Sequence, residues 1–149
     1  MRLIRPDDGE RLQRFTSRLS DRSRYQRFMQ HLAELPPSLV ARFTHLDYRR
    51  ELALAALHED QLIAVGRYAP NPDGTTAEFG LVVADAWQHQ GLGRILLERL
   101  CGAARDAGYE ALFGHMLADN REMIELAARL GFTPAGRDGA ALAMVRRLK

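Results

Sequence analysis

The chain has 149 residues, 46% of them hydrophobic and 27% charged, which fits a single globular domain over residues 1–149 that buries about 70% of its unfolded surface. The formal net charge of +2 and the lack of any run of about 20 apolar residues argue against nucleic-acid and membrane partners. The single cysteine, Cys101, excludes an internal disulfide and a multi-cysteine metal site. Because the first residues lack the apolar core of a signal peptide, we expect a cytoplasmic protein.

The first third of the chain is predicted to be mostly helical. Apolar residues at helical spacing, with a proline and two aspartates at the start of the first such segment, predict several short elements. These are a strand at Leu3 and Ile4, helices over residues 8–19 and about 22–33, and a further turn from Ser38 to Phe43, capped by Ser38. The charged run from Arg18 to Arg27 is interpreted as a solvent-exposed helix face, with a specific anion site as the alternative.

The rest of the chain alternates between strands and helices. The predicted strands cover residues 51–58, 61–68, 75–83, 110–117, 132–133 and 140–148, and the predicted helices cover about 91–107 and 120–130. Gly108 and Gly131 are expected to end the two helices. Because this order mixes hairpins with crossovers, we expect an α/β (α+β) fold with a mixed, mostly antiparallel central sheet flanked by helices.

A glycine-containing loop joins the third of these strands to the helix that follows. Residues 88–93 read Gln-His-Gln-Gly-Leu-Gly, and two glycines there allow a tight turn and close approach of a ligand. Free N–H groups at the helix start, together with the helix dipole, form a natural site for a phosphate or pyrophosphate. The motif is neither a Walker loop nor a dinucleotide fingerprint. A tight turn without a ligand is the alternative.

In this motif and its position the chain resembles the GNAT N-acetyltransferase superfamily over nearly its whole length. The family's phosphate-binding pattern, Gln or Arg followed by x-x-G-x-G or x-x-G-x-A, falls on residues 88–93. A second family element, an asparagine leading a helix that ends in Gly-Phe, falls on Asn120 and on Gly131 and Phe132. The resemblance implies the GNAT fold, acetyl-CoA as the acyl donor, no metal, and direct transfer to an amine in a ternary complex.

The resemblance also implies which residues bind acetyl-CoA. The exposed backbone of one strand would hold the pantetheine arm, with one N–H polarising the acetyl carbonyl, and the loop would hold the pyrophosphate. Asn120 would contact the pantetheine arm and cap its own helix. The full set is Leu81, Val82, Val83, Gln88, His89, Gln90, Gly91, Leu92, Gly93, Arg94 and Asn120.

Glu78 is the candidate general base. It lies at the start of the strand that leads to the loop, where a carboxylate can take the amine proton directly or through a water. A lysine amine has a pKa near 10.4, so only about one in 2,500 is neutral at pH 7, and attack on a thioester needs a proton acceptor. A solvated strand-end glutamate is the alternative, but the family's usual base matches Glu78.

One position departs from the family pattern. Many relatives carry a tyrosine seven residues after the asparagine, where it protonates the leaving thiolate, and this chain has Ala127 there. Either the thiolate leaves unassisted, which a pKa near 8.5 permits, or another group donates the proton.

The histidines and the cysteine receive structural interpretations. His89 either contacts a phosphate or is a surface residue. The other histidines, His31, His45, His58 and His115, lack metal-ligand spacing and are interpreted as structural or exposed. Cys101 is expected to be a small buried residue rather than a nucleophile.

Within the superfamily the chain most resembles the acetyltransferase domain of bacterial protein lysine acetyltransferases. Residues 23–28, 42–48 and 50–54 carry this likeness. It implies an acceptor lysine on a protein, commonly an acyl-CoA synthetase. Two alternatives stay open: a small-amine acetyltransferase acting on a polyamine, amino acid or antibiotic, and a non-catalytic acyl-CoA sensor.

Overall fold

The structure is a computed structural model that describes residues 1–29 and 34–149. Two 3₁₀ turns, Pro6–Asp8 and Asp85–Trp87, accompany the main elements. The strands are β1 (Arg2–Leu3), β2 (Leu52–His58), β3 (Gln61–Pro70), β4 (Thr76–Val83), β5 (Ala111–Leu117), β6 (Thr133–Asp138) and β7 (Ala141–Arg147). The helices are α1 (Gly9–Arg18), α2 (Asp21–Phe28), α3 (Pro37–Thr44), α4 (Leu92–Asp106) and α5 (Arg121–Arg129).

The strands form one seven-stranded sheet in the order β1-β2-β3-β4-β5-β7-β6. Only the central pair among these described strands, β4 and β5, runs parallel, and the other neighbours are antiparallel. Hairpins join β2 to β3, β3 to β4 and β6 to β7, whereas helices lie between β1 and β2 and between β5 and the last two strands. α4 makes the crossover that the parallel pair requires. The predicted mixed, mostly antiparallel sheet flanked by helices is confirmed.

Each face of the sheet has its own apolar core. The larger core joins the α4 residues Leu96, Leu97 and Leu100, which are fully buried, to Phe79 and the α5 side of the sheet. Burial of each leucine contributes about 1.5–3 kcal/mol. The second core packs the first helices against the other face and includes Phe15. In β3 buried and half-buried residues alternate along the strand, as expected where successive side chains face opposite sides of a sheet.

Asp8 ties the N-terminal strand to α1. Its buried carboxylate accepts two hydrogen bonds from the Arg2 guanidinium, at 2.7 and 2.8 Å, and one from the Arg5 N–H at 2.7 Å. Arg11 contacts it at 3.3 Å. The hydrogen bonds from Arg2, aided by Arg5 and the nearby charges, lower the pKa of Asp8 to about 2 despite burial.

Several boundaries differ from the prediction. The second helix was expected to reach about residue 33, but it ends at Phe28 because Met29 takes a left-handed conformation with φ 55°; the final residues of that prediction, including His31, lie outside the described residues. The turn at Ser38 is a full helix whose N-cap is Pro36 rather than Ser38. The strand expected at 132–133 extends over Thr133–Asp138.

Candidate active site

The two parallel strands at the centre of the sheet separate part-way along. Pairing between β4 and β5 runs from Thr76 and Ala111 to Phe79 and Gly114, whereas both strands continue beyond these residues. From Gly80 onward β4 is paired with β3 alone. Because successive residues of a strand direct their N–H and C=O groups to opposite sides, residues 80–83 present part of their backbone to the gap. This is the geometry that the predicted backbone role of residues 81–83 requires.

Side-chain packing favours this separation just beyond the last pair. Phe79 lies directly over Gly114, where an added Cβ would come within 2.2 Å of the Phe79 ring. The Phe79 ring also packs edge-on against Phe132, with centroids 5.4 Å apart. The aromatic pair therefore fills the larger core at the point where the strands diverge.

A cavity of about 830 Å³ occupies the gap and the surface around it. Such a volume is typical of a small-molecule site. Eleven of the twelve residues predicted for the site line this cavity: Glu78, Leu81, Val82, Val83, Gln88, His89, Gly91, Leu92, Gly93, Arg94 and Asn120. Gln90 is exposed and does not line it.

The loop before α4 presents uncapped N–H groups to the cavity. Gly91 is the N-cap of α4 with φ 85° and ψ 0°, and among the described residues no side chain caps this helix start. Its first turn holds Arg94 and no acidic residue, so the positive helix end is not neutralised. His89 also has positive φ, 63°. The loop geometry is therefore that of an anion site.

The two glycines of the loop do different work. Gly91 needs its left-handed backbone, while an added Cβ would meet nothing within 4 Å. Gly93 has no positive φ, and its Cβ would point toward Leu126 at 3.4 Å and Val83 at 3.7 Å, across the floor of the cavity. Gly91 is thus needed for the backbone conformation of the turn, whereas Gly93 leaves the cavity floor free of a side chain.

Hydrogen bonds around Asp85 tie this loop to α2. The Asp85 carboxylate accepts from the Ser20 N–H at 3.0 Å, the Ser20 hydroxyl at 2.8 Å and the Ser23 hydroxyl at 3.0 Å. Burial alone would raise the pKa of Asp85, but these hydrogen bonds hold it below its ordinary value. The Gln88 amide donates to Ser23 Oγ at 3.3 Å and to the Val83 carbonyl at 3.0 Å. The side chain of Gln88 therefore braces the loop.

Glu78 and His115 form a pair at the opening of the gap. Glu78 Oε1 contacts His115 Nδ1 directly, because Gly114 pairs with Phe79 and His115 follows where the strands part. Both side chains are about half exposed. The imidazole can orient the carboxylate and pass a proton onward.

α2 contributes an arginine to the same region. Arg27 lies over Gly80, where an added Cβ would be 2.7 Å from the guanidinium carbon. The guanidinium stacks 4.9 Å from the Phe28 ring centre and 5.9 Å from that of Phe43. Burial, with the nearby Arg67 charge, lowers the pKa of Arg27 to about 10, and Glu78 opposes the shift. Arg27 is therefore still a cation at neutral pH.

The interpretation of residues 18–27 as a solvated face is thus wrong for its inner residues. Arg22 is exposed as expected, but Arg27 lines the cavity. Arg24 folds back onto the end of α1 and donates to the carbonyl of Leu19 at 2.7 Å. The reason is that α2 lies flat against β4, so one side of its charged sequence faces the site.

The remaining candidates fall as follows. Asn120 caps α5 by accepting from the Met123 N–H at 3.3 Å. Ala127 is fully buried in the larger core and does not line the cavity. His89 is exposed, with Nε2 3.4 Å from Glu122 Oε1. Cys101 is buried, as predicted, and burial raises the pKa of its thiol.

Residues from separate elements were missed by the sequence argument. His115 was interpreted as structural or exposed, yet it contacts Glu78. Arg27 and Phe43 also line the cavity. The only usable signal for His115 was its place one residue beyond the end of the β4–β5 pairing, and that pairing was not predicted.

Comparison with known proteins decides the family. Residues 16–132 match the model of the Acetyltransferase (GNAT) family. The chain belongs to the GNAT family. It is 33% identical over 136 residues to the acetyltransferase PA5475 of Pseudomonas aeruginosa, a match that covers 89% of this chain and 73% of that protein.

Solved acetyltransferase structures share the fold. The GNAT domain of S. lividans PAT superposes with a TM-score of 0.92 at 30% identity, covering 98% of this chain and 88% of that one. The yncA protein of Salmonella typhimurium, solved with its cofactor acetyl-CoA, gives a TM-score of 0.81 at 20% identity, covering 99% and 92%. At that identity the second likeness shows the fold alone.

Family membership confirms the predicted activity class. The protein is an acetyl-CoA-dependent N-acetyltransferase of the GNAT family. Within the described residues no group of three or more histidine, cysteine, aspartate or glutamate side chains is placed to hold a metal ion. No described helix is both long and apolar enough to span a membrane.

Proposed function

We propose that this GNAT enzyme transfers the acetyl group of acetyl-CoA to the ε-amine of a lysine on a protein, with an acyl-CoA synthetase as the expected acceptor. The observation that carries the proposal is the likeness to the GNAT domain of PAT over 98% of the chain. That coverage includes residues 23–54, which resemble the bacterial protein lysine acetyltransferases. The same stretch supplies α2 and α3, which border the cavity beside Glu78.

The chain's residues divide the binding of acetyl-CoA between them. The N–H groups at the start of α4 and the loop over residues 88–94 hold the pyrophosphate, and the open edge of β4 at residues 81–83 holds the pantetheine arm. Asn120 lines the far side of the arm. Bound there, acetyl-CoA supplies a thioester as the acyl donor. A backbone N–H of β4 stabilises the charge that develops on the carbonyl oxygen.

Glu78 takes the proton that the ammonium group must lose. The neutral amine then forms the new N–C bond as the C–S bond breaks, and the electron pair leaves with the sulfur. As the amide forms, the nitrogen loses its second proton, which balances the proton that the thiolate takes up. His115 holds the Glu78 carboxylate in place through Nδ1. Because Ala127 offers no proton at the position of the family's tyrosine, either the thiolate leaves as the anion, as its pKa near 8.5 permits, or another group donates the proton.

The test uses acetyl-CoA carrying a labelled acetyl group. The purified enzyme is incubated with an acyl-CoA synthetase of the same cell, with total lysate proteins, and with spermidine and free amino acids, and the products are identified by mass spectrometry. We expect labelled lysines on the synthetase, and roughly 10²–10⁴-fold less label with Glu78→Gln.

Two outcomes would contradict this. A free polyamine or amino acid acetylated with kcat/KM orders of magnitude above any protein would make the enzyme a small-amine acetyltransferase. Binding of acetyl-CoA with no acetylation of any amine would make it an acyl-CoA sensor.

A further inference from the structure

We propose that the amine accepted by this enzyme carries a carboxylate close to it, and that Arg27 binds that carboxylate. The inference rests on the acetyl transfer proposed above, but it does not require the acceptor to be a protein. It makes Arg27 a determinant of acceptor specificity.

Arg27 is placed where an acceptor must enter. Its guanidinium lines the cavity and lies over Gly80, two residues along β4 from Glu78. Two residues of strand span about 7 Å. When the amine of an acceptor contacts Glu78, a group of the same acceptor that lies about 7 Å from the amine can therefore reach Arg27.

The guanidinium has no anion of its own in the part of the chain that the structure describes. None of the ion pairs or hydrogen bonds among residues 1–29 and 34–149 includes Arg27. The aromatic rings that it stacks on are those of Phe28 and Phe43. Glu78 acts on it at longer range and is already in contact with His115.

A second cation behind Phe43 adds to the positive charge. Arg67 lies 4.4 Å from the Phe43 ring centre, and its buried Nε and Nη2 find no hydrogen-bond partner among the described residues. Glu51 lies 3.7 Å from Arg67 but is shared with Arg42, which donates to it at 2.7 Å. The guanidiniums of Arg27, Arg67 and Arg42 thus have only two of the described carboxylates near them. One of these, Glu78, must be free to accept a proton.

This arrangement suits a carboxylate better than a purely structural role for Arg27. A partly buried guanidinium without an anion is costly, and stacking on aromatic rings compensates only in part. The planar guanidinium offers paired N–H donors that match the two oxygens of a carboxylate. An acidic side chain beside a target lysine and the α-carboxylate of an amino acid both supply this chemistry.

The test compares acceptors that differ only in the carboxylate. One pair is Nα-acetyl-lysine and its amide, and the other is a peptide with glutamate beside its single lysine and the same peptide with glutamine. We expect wild-type kcat/KM to favour the acid roughly ten- to a hundredfold in at least one pair. The pair that responds identifies the source of the carboxylate.

Variants then assign the preference to Arg27. Arg27→Gln should abolish it, mainly through KM, while acetyl-CoA affinity stays within twofold, and Arg27→Lys should restore part of it. Arg22→Gln, which removes an exposed charge from the same helix, should leave it unchanged. Gly80→Ala, whose Cβ displaces the guanidinium, should weaken the preference even if Arg27→Gln does not fold.

The proposal would be overturned if the wild-type enzyme showed equal kcat/KM for the charged and the neutral acceptor in both pairs. It would also be overturned if Arg27→Gln lowered kcat/KM equally for the charged and the neutral acceptor. If only lysate proteins are acetylated, the labelled lysines must be enriched in neighbouring Asp or Glu, and Arg27→Gln must remove that enrichment. An enzyme that acetylates no amine loses the proposed function, and the inference fails with it.

Discussion

The two glycines of the loop before α4 should respond differently to alanine. Gly91 has φ 85° and ψ 0°, a conformation that costs an L-residue about 1–2 kcal/mol. For a chain of about 150 residues, each kcal/mol lowers Tm by about 2–4 °C. Gly91→Ala should therefore lose about 1–2 kcal/mol of stability, although its Cβ meets open space.

Gly93→Ala should leave the free energy of unfolding unchanged or raise it. Its Cβ would meet Leu126 at 3.4 Å, an ordinary contact, and alanine is favoured over glycine inside a helix by up to about 1 kcal/mol. The structure thus accounts for a family pattern that requires Gly at the first position and accepts Gly or Ala at the second. Gly93→Glu should fold but bind acetyl-CoA much more weakly, because a longer, negatively charged side chain would enter the cavity where we propose that the pyrophosphate binds.

Urea denaturation at an unchanged m-value measures the stability of each variant, and calorimetry measures acetyl-CoA binding. Gly91→Ala should bind acetyl-CoA at least several-fold more weakly than Gly93→Ala, since relaxing the strained turn moves the N–H groups that we propose bind the pyrophosphate. The reasoning is refuted if the two alanine variants lose equal stability and affinity. A folded Gly93→Glu that binds acetyl-CoA as wild type does would remove the loop from the binding site.

Two further substitutions test the base and the N-terminal ion cluster. Glu78→Gln should lower kcat roughly 10²–10⁴-fold with acetyl-CoA affinity nearly unchanged, and flatten the acidic limb of the pH–rate profile; most of the activity remaining at pH 7 would assign the role to a water or another carboxylate. Asp8, with its pKa lowered to about 2, contributes stability that is present above its unfolded pKa and lost as the pH falls toward 2. Asp8→Asn should therefore lower the free energy of unfolding by about 2 kcal/mol at pH 7, and by progressively less below pH 4, as measured by urea denaturation. A loss of stability that does not depend on pH would contradict this.

The spacing of apolar residues and the positions of turn residues were sufficient to predict most helices and strands from the sequence. The three central strands and the α4 and α5 helices lie within one or two residues of prediction, since each is a long apolar or amphipathic segment ended by Gly or a turn. The glycine loop could also be located, because its signal is local: a strand, two glycines and a helix start. α2 was harder, since its highly charged sequence does not show which side packs against the sheet.

Long-range pairing was the part that the sequence could not predict. His115 approaches Glu78 only because β5 pairs in parallel with β4 and then diverges beyond Gly114. No local pattern in residues 111–117 identifies their partner strand. The same holds for Arg67, whose place opposite Gly80 follows from the β3–β4 register and whose burial follows from Phe43, on a helix that comes earlier in the chain.

Asp85 explains how the distant α2 becomes part of the site. Its carboxylate accepts hydrogen bonds from the N–H and hydroxyl of Ser20 and from the hydroxyl of Ser23. Ser23 in turn accepts a hydrogen bond from Gln88 in the glycine loop. The helix that carries Arg27 is therefore held by the same short segment that forms the start of α4. Because one network positions both the loop before α4 and Arg27, the geometry that we propose for acetyl-CoA binding also sets where the proposed acceptor carboxylate can lie relative to Glu78.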